Sequence, residues 1–169
     1  MATKMLRANV AIYAAYPEAF ADAANPTVAE LNDPDFVKNI SCAIEDSYTL
    51  NMTDSDSDDS ISICDIGDVQ TPTFYNYEAS LDGFRDEDPD AAGVYNLFFD
   101  LFKNPDVPFI LIKRIGKPQG DPWTVGDIAS LYEVITDNPV DLLGDNEMIR
   151  LGARFKSTGN VNVNRTIAA

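Results

Sequence analysis

The chain has 169 residues, enough for one domain, and closes close to 70% of its extended surface without needing metal or disulfide staples. Twelve Lys and Arg against 28 Asp and Glu leave a formal charge of −16 with no histidine. That balance argues against a phosphate-neutralising nucleic-acid surface, and it removes the commonest general base and zinc ligand together.

Residues Leu6 to Tyr13 read as a short strand. Ala14 to Asn39 carries Pro17, Pro26 and Pro34 and no sustained period, so an N-terminal arm or connector is expected over 14–39. From Ile40 the pattern alternates: Ile40, Cys42, Ile44 and Tyr48 against Ser41, Glu45, Ser47 and Thr49. A polar stretch, Thr53 to Ser60, separates this run from Ile61, Ile63 and Asp65, and the two runs predict a long hairpin. Thr73 to Leu81 is a third strand, with Tyr75, Tyr77, Ala79 and Leu81 on its apolar side.

Pro89 to Lys103 is the one helix the pattern predicts. Val94, Leu97, Phe98, Leu101 and Phe102 make one apolar stripe, and the acids Asp86 to Asp90 sit where the helix dipole favours them. Val107 to Ile115 is apolar until Lys113 and Arg114, which predicts a strand covered on both faces. Gly116 to Gly126 is a loop, Ile128 to Thr136 a strand and Asp137-Asn138-Pro139 a turn. Met148 to Lys156 and Val161 to Ile167 read as a terminal hairpin across Ser157–Asn160. About seven strands and one helix predict a mainly β fold, a sandwich or barrel with a flanking helix.

Catalytic patterns are sparse. Without histidine, a Ser or Cys nucleophile has only Lys or carboxylate partners, and neither S-x-x-K, G-x-S-x-G, G-x-G-x-x-G nor a Walker spacing occurs. The expectation is a non-enzymatic protein with no cofactor. Asp54, Asp56 and Asp58 stand at EF-hand positions 1, 3 and 5, with Ile61 at 8 and Asp65 at 12. Asp59 replaces the glycine of position 6 and the flanks alternate like strands, so these acids are weak metal candidates beside the plainer reading of a solvated hairpin tip. Trp123 is either a ligand platform or, as the better expectation, a loop residue covering the barrel mouth or a subunit contact. Phe98, Phe99 and Phe102 read as core rather than as a cofactor box. Cys42 and Cys64 are expected as reduced, buried thiols, a disulfide between neighbouring strands being the alternative. The start of the chain lacks a secretory h-region, and the apolar run Val107–Ile112 is too short to span a bilayer, so a cytoplasmically made, soluble protein is expected. Arg150, Arg154 and Lys156 share one face of the penultimate strand around Gly152. They form either a solvated face or a cationic stripe that meets an acidic stripe on a neighbouring subunit, an arrangement that permits rings and filaments.

Ile66 to Asp86, Gly93 to Lys103, Lys113-Arg114-Ile115-Gly116, Thr136-Asp137-Asn138-Pro139 and Phe155 to Asn164 resemble, in that order, the major tail proteins of long-tailed phages (siphoviruses) infecting actinobacteria. The resemblance spans roughly residues 40 to 165. It implies a β-sandwich with one flanking helix, hexameric rings stacked into a hollow tube, and genome delivery through the bore. It also implies a tape-measure protein in the lumen during assembly, tail terminator and tail tip proteins as partners, passage of DNA without specific binding, and no membrane. The chain then belongs to the virion tail and is assembled in the host cytoplasm. On that reading Glu45, Glu78 and Asp82 are lumen-facing candidates, because a wall of like sign repels DNA, whereas exposed Arg150 and Arg154 would grip phosphate. The resemblance makes the stacking hairpin over 49–61 and the arm over 14–39 the pieces that bind a neighbouring ring, with Asp54, Asp56, Asp58 and Asp59 as inter-ring candidates and Arg150, Arg154 and Lys156 as inter-subunit candidates. Three alternatives stand beside it: a tail terminator or single-ring component, a calcium-binding β-sandwich module, and an acidic DNA mimic.

Overall fold

The computed structural model describes residues 5, 7–60, 63–64, 71–144 and 148–169. A single antiparallel path of seven strands runs in the order β2 (Val37–Asn39), β1 (Val10–Ala15), β7 (Pro108–Ile115), β8 (Ile128–Thr136), β10 (Arg150–Thr166), β6 (Tyr77–Phe84) and β3 (Thr49–Met52). β9 (Val140–Leu142) pairs with the start of β10, and β4 (Asp56–Asp58) with β5 (Thr71–Phe74) forms a separate two-stranded ribbon. The mainly β sandwich with a flanking helix is as expected.

β10 is where the sheet turns its corner. Arg150–Arg154 pair with β6, whereas Phe155–Thr166 pair with β8, with register shifts after Ser157 and Asn162. A strand that changes partners through bulges folds one sheet over the other, and the side chains between become the core. Ser157–Asn160 is therefore no turn, and the predicted terminal hairpin is one strand of 17 residues. Turn-type residues at 157–160 predict a reversal, but Gly159 at φ 89° accommodates a bulge instead.

The inner core joins Ile12, Leu50, Leu81, Phe109, Leu111, Tyr132 and Leu151 to the helix α2 (Val94–Phe102). α2 begins at Val94 rather than Pro89. Asp88 N donates to the Asp86 carboxylate at 3.1 Å and Asp90 N to the Asp88 carboxylate at 3.0 Å, so the acids close Asx turns before the helix starts. Phe102 meets Phe98, Phe109 and Phe155 edge-on with centroids 4.9–5.2 Å apart. The phenylalanines at 98 and 102 are core, as the helical spacing predicts.

A second core lies on the opposite face of β1, β7 and β8. Phe20, Leu31, Val37, Trp123 and Ile167 cover Ala11, Tyr13, Ile110, Ile112 and Leu131 there. β7 is thus covered on both faces, which accounts for its nearly unbroken apolar run. Trp123 and Ile167 come from elsewhere in the chain, and Phe20, Leu31 and Val37 from the predicted arm, residues 14–39. The arm holds a 3₁₀ turn (Pro17–Ala19) and the short helix α1 (Val28–Leu31), whose start is a capping box between Thr27 and Glu30.

Other predicted boundaries move. β1 starts at Val10, after a 3₁₀ turn at Arg7–Asn9. Residues 40–48 are not a strand: Ser41–Ala43 form a 3₁₀ turn, Ile40 N bonds Ile12 O at 3.0 Å and Glu45 N bonds Asp82 O at 2.8 Å. This segment crosses from one sheet to the other, and its alternation reflects Ile40 and Ala43 turning inward during the crossing. Cys42 and Cys64 are exposed and not bridged, against the expectation of buried thiols. The hairpin pairs β3 with β6 and β4 with β5, so the partner of 49–58 is 71–84, not 61–65. Of that predicted second strand, Ile61 and Asp65 lie outside the described residues.

Candidate assembly surfaces

Alternation along β6 sends Tyr77, Leu81 and Gly83 inward and Glu78, Ser80 and Asp82 outward. On β10, Arg150, Gly152 and Arg154 take the matching outward positions, facing Phe84, Asp82 and Ser80 in register. Diagonal as well as directly opposed side chains in an antiparallel pair come within reach, and Asp82, opposite Gly152, lies diagonal to both arginines. Arg154 Nη1 reaches Asp82 Oδ1 at 2.7 Å and Ser80 Oγ at 3.1 Å. Gly152 makes this possible: a Cβ there would stand 2.9–3.1 Å from the Arg154 guanidinium, which lies over the bare backbone. Arg150 pairs with Glu45, delivered by the crossing segment. Lys156 bonds Asp137 at 2.9 Å, and that hydrogen bond, with one from Asn138 N, holds the Asp137 carboxyl below its ordinary value.

Two of the acids proposed for a lumen and two of the cations proposed for a subunit contact are therefore partners within one chain. Glu78 is different. It is exposed, opposite Asn51 of β3, and among the described residues no cation lies within ion-pair distance of it. The outward face of β3, β6 and β10 is a polar plane whose charges are largely paired locally.

The second surface is the ribbon β4–β5. All its described side chains are exposed, and it continues the β3–β6 hairpin beyond a bend. The bend is held by Thr53 N to Asn76 O at 2.9 Å, and by Asn76 Nδ2 to Asp54 O at 3.3 Å and to the Asp56 carboxylate at 3.1 Å. Phe74 is 69% exposed and Tyr75 68%, whereas Tyr77, two residues later, is 5%. The sequence placed Tyr75 and Tyr77 on one apolar face; the bend at Asn76 separates them. Asp54, Asp56, Asp58 and Asp59 are all exposed here: Asp54 at the bend, Asp56 and Asp58 in β4, and Asp59 just past it. Among the described residues no group of three acids, cysteines or histidines converges as a metal site, and Asp65, the proposed twelfth ligand, lies outside them.

Trp123 is 3% exposed and packs on Tyr13 at 5.1 Å. It seals the second core rather than offering a ligand platform. Beneath it Arg114, 1% exposed, gives hydrogen bonds of 2.8 Å to the carbonyls of Pro118 and Asp121, and so holds the loop that carries the tryptophan. The sequence analysis assigns no structural role to Asn76, Gly83 or Arg114. Only Arg114 left a signal, as a charge inside an otherwise apolar strand.

A family model described as phage tail tube protein matches residues 1–169, the whole chain. The chain belongs to the phage tail tube protein family. No curated protein matches it. A tail tube protein is a structural component of the virion's tail, and its partners are other tail proteins, beginning with copies of itself. Both surfaces described above suit that role: neither is a catalytic constellation, and each presents features that a second chain can cover. Among the described residues, no helix is long and apolar enough to cross a membrane.

Proposed function

We propose that this protein is the repeating subunit of the tail tube of a siphovirus infecting an actinobacterium, forming hexameric rings that stack into the conduit for genome delivery. The observation that carries this reading is the family match over all 169 residues. The projecting ribbon supports it. A two-stranded ribbon with no core of its own is marginal in water and is stabilised when another surface covers it. In this reading residues 49–61, with their partner strand, reach a neighbouring ring, and the acids Asp54, Asp56, Asp58 and Asp59 lie in that contact. Residues 14–39 remain a connector that also seals the second core.

The paired outward face suits a bore. DNA slides best along a wall that offers phosphate no uncompensated cation, and Glu45 and Asp82 neutralise Arg150 and Arg154 there while Glu78 adds net negative charge. In this reading Lys156 and Asp137 sit at the rim, where the subunit meets its neighbour. A tape-measure protein occupies the lumen during assembly, and terminator and tip proteins close the ends. Negative-stain microscopy of concentrated protein tests the proposal: tubes of stacked six-membered rings are expected. Closed single rings that never stack point instead to a terminator-like component, and monomers at every concentration, salt and seeding condition overturn the reading.

A further inference from the structure

Exposed large apolar side chains gather at three places on the described surface. One, around Leu143, Met148 and Ile149, borders residues 145–147, which lie outside the described residues. The second is the ribbon, with Phe74 and Tyr75. The third is one end of the β1–β7–β8 sheet, where Ile115 is 46% exposed and Ile128 48%.

Register makes this third place a continuous strip. Val10 pairs with Ile115, and Ile115 with Ile128, so the three side chains stand in one row on the inner-core face. It lies one row beyond the covered part of that face: the next row in holds Ile12, Lys113 and Ser130. Strands roughly 4.8 Å apart make the strip about 10 Å across, wide enough to seat an aromatic ring. Beside it opens a cleft of about 150 Å³ lined by Val10, Ile12, Ile44 and Tyr48, with Ser41, Glu45 and Asp46 on its polar wall.

We propose that this strip receives the Phe74–Tyr75 knob of a second copy of the chain. The proposal rests on the tube reading and names the acceptor face for the ribbon. Charge supports the choice of occupant. Lys113, adjacent to the strip, is half-buried and gives hydrogen bonds to Leu50 O at 2.5 Å and Asn51 Oδ1 at 2.6 Å, and among the described residues no carboxylate pairs with it. An ammonium has three donors, and among the described residues only two of them meet hydrogen-bond acceptors, the Tyr132 ring centroid lying 5.7 Å from the nitrogen. Burial alone lowers its pKa, the mark of a cation without an anion nearby. The ribbon brings that anion: Asp56 lies opposite Phe74 in the β4–β5 register, so a carboxylate travels with the aromatic knob. Glu45, on the cleft wall, already pairs with Arg150 and does not compete for Lys113. Knob and strip are different patches of one chain, so their union is head-to-tail and propagates from copy to copy instead of closing a dimer.

Disulfide trapping tests the contact. In a Cys42→Ser, Cys64→Ser background, Tyr75→Cys combined with Ile128→Cys is expected to give, after oxidation of the assembled protein, a reducible ladder of multimers on a denaturing gel. Each single replacement gives no ladder. Tubes seen by microscopy without a ladder overturn the contact and leave the tube reading standing. A product that stops at dimer overturns the head-to-tail arrangement. Failure of the native chain to assemble at all removes the tube reading, and this contact with it. A second variant, Phe74→Ser with Tyr75→Ser, changes only exposed positions and so keeps the fold. It is expected to raise the concentration needed for assembly at least tenfold, and an unchanged threshold overturns the proposal.

Discussion

Single residues with no side chain or with a buried charge hold much of this structure in place. At Gly83 an added Cβ would sit 2.3 Å from two atoms of the Phe98 ring, because α2 lies directly on the bare backbone of β6. Gly83→Ala is therefore expected to cost about 1–3 kcal/mol by overpacking, read as a lower urea midpoint with an unchanged slope. Asp127 works through charge. Burial pushes its carboxyl up, but the Lys117 ammonium at 2.7 Å and hydrogen bonds from Thr124 outweigh that and hold it below its ordinary value. A carboxyl that titrates lower in the folded state than in the unfolded one stabilises fully above the unfolded pKa, about 3.9, and this is lost as pH falls through the folded value. Asp127→Asn should be less stable than the native chain at pH 7, with the gap narrowing below about pH 4 in thermal melts. Neither role is visible in the chain order. Gly83 meets a helix ten or more residues away, and a run such as Leu81-Asp-Gly-Phe84 looks like the end of a strand.

Among the elements, those legible from periodicity are the ones that tertiary contacts leave unbent. β8 runs from Ile128 to Thr136, as its pattern predicts, and β7 starts one residue later than its own. The elements misread are those that serve two sheets or none. β10 changes partners midway, the 40–45 segment crosses between sheets, and the ribbon continues its hairpin past the Asn76 bend. Local pattern reports which faces are wet, not which strand lies alongside. The ribbon is also the element most separable from the rest. The Thr53–Asn76 backbone bond closes the inner hairpin by itself, so replacing residues 54–75 with an Asn-Gly turn should leave near-ultraviolet dichroism and the melting temperature essentially unchanged. Stacking should be lost in the same variant under microscopy. A collapse of the dichroism would mean that the ribbon belongs to the folding unit.

For the molecule as a whole, a formal charge of −16 opposes bringing copies together, and salt screens that opposition over about 8 Å at physiological ionic strength. Assembly should therefore need less protein as sodium chloride rises from about 0.05 to 0.5 M, measured by light scattering, the opposite of what contacts built chiefly on ion pairs would show. The local pairing of Arg150, Arg154, Lys117 and Lys156 points the same way, since these cations are already engaged within the chain. What the amino-acid order determined by itself was the sign and size of the charge, the β class, the one long helix and the two-sided burial of β7, because these follow from composition and period. What only the tertiary structure decided was the identity of neighbours: that the 14–39 arm, with Trp123 and Ile167, covers a second core, that Glu45 and Asp82 are the partners of Arg150 and Arg154, and that Tyr75 faces water while Tyr77 does not. Those are matters of register and of a bend, which bring together residues far apart in sequence and leave no trace in the spacing of either alone.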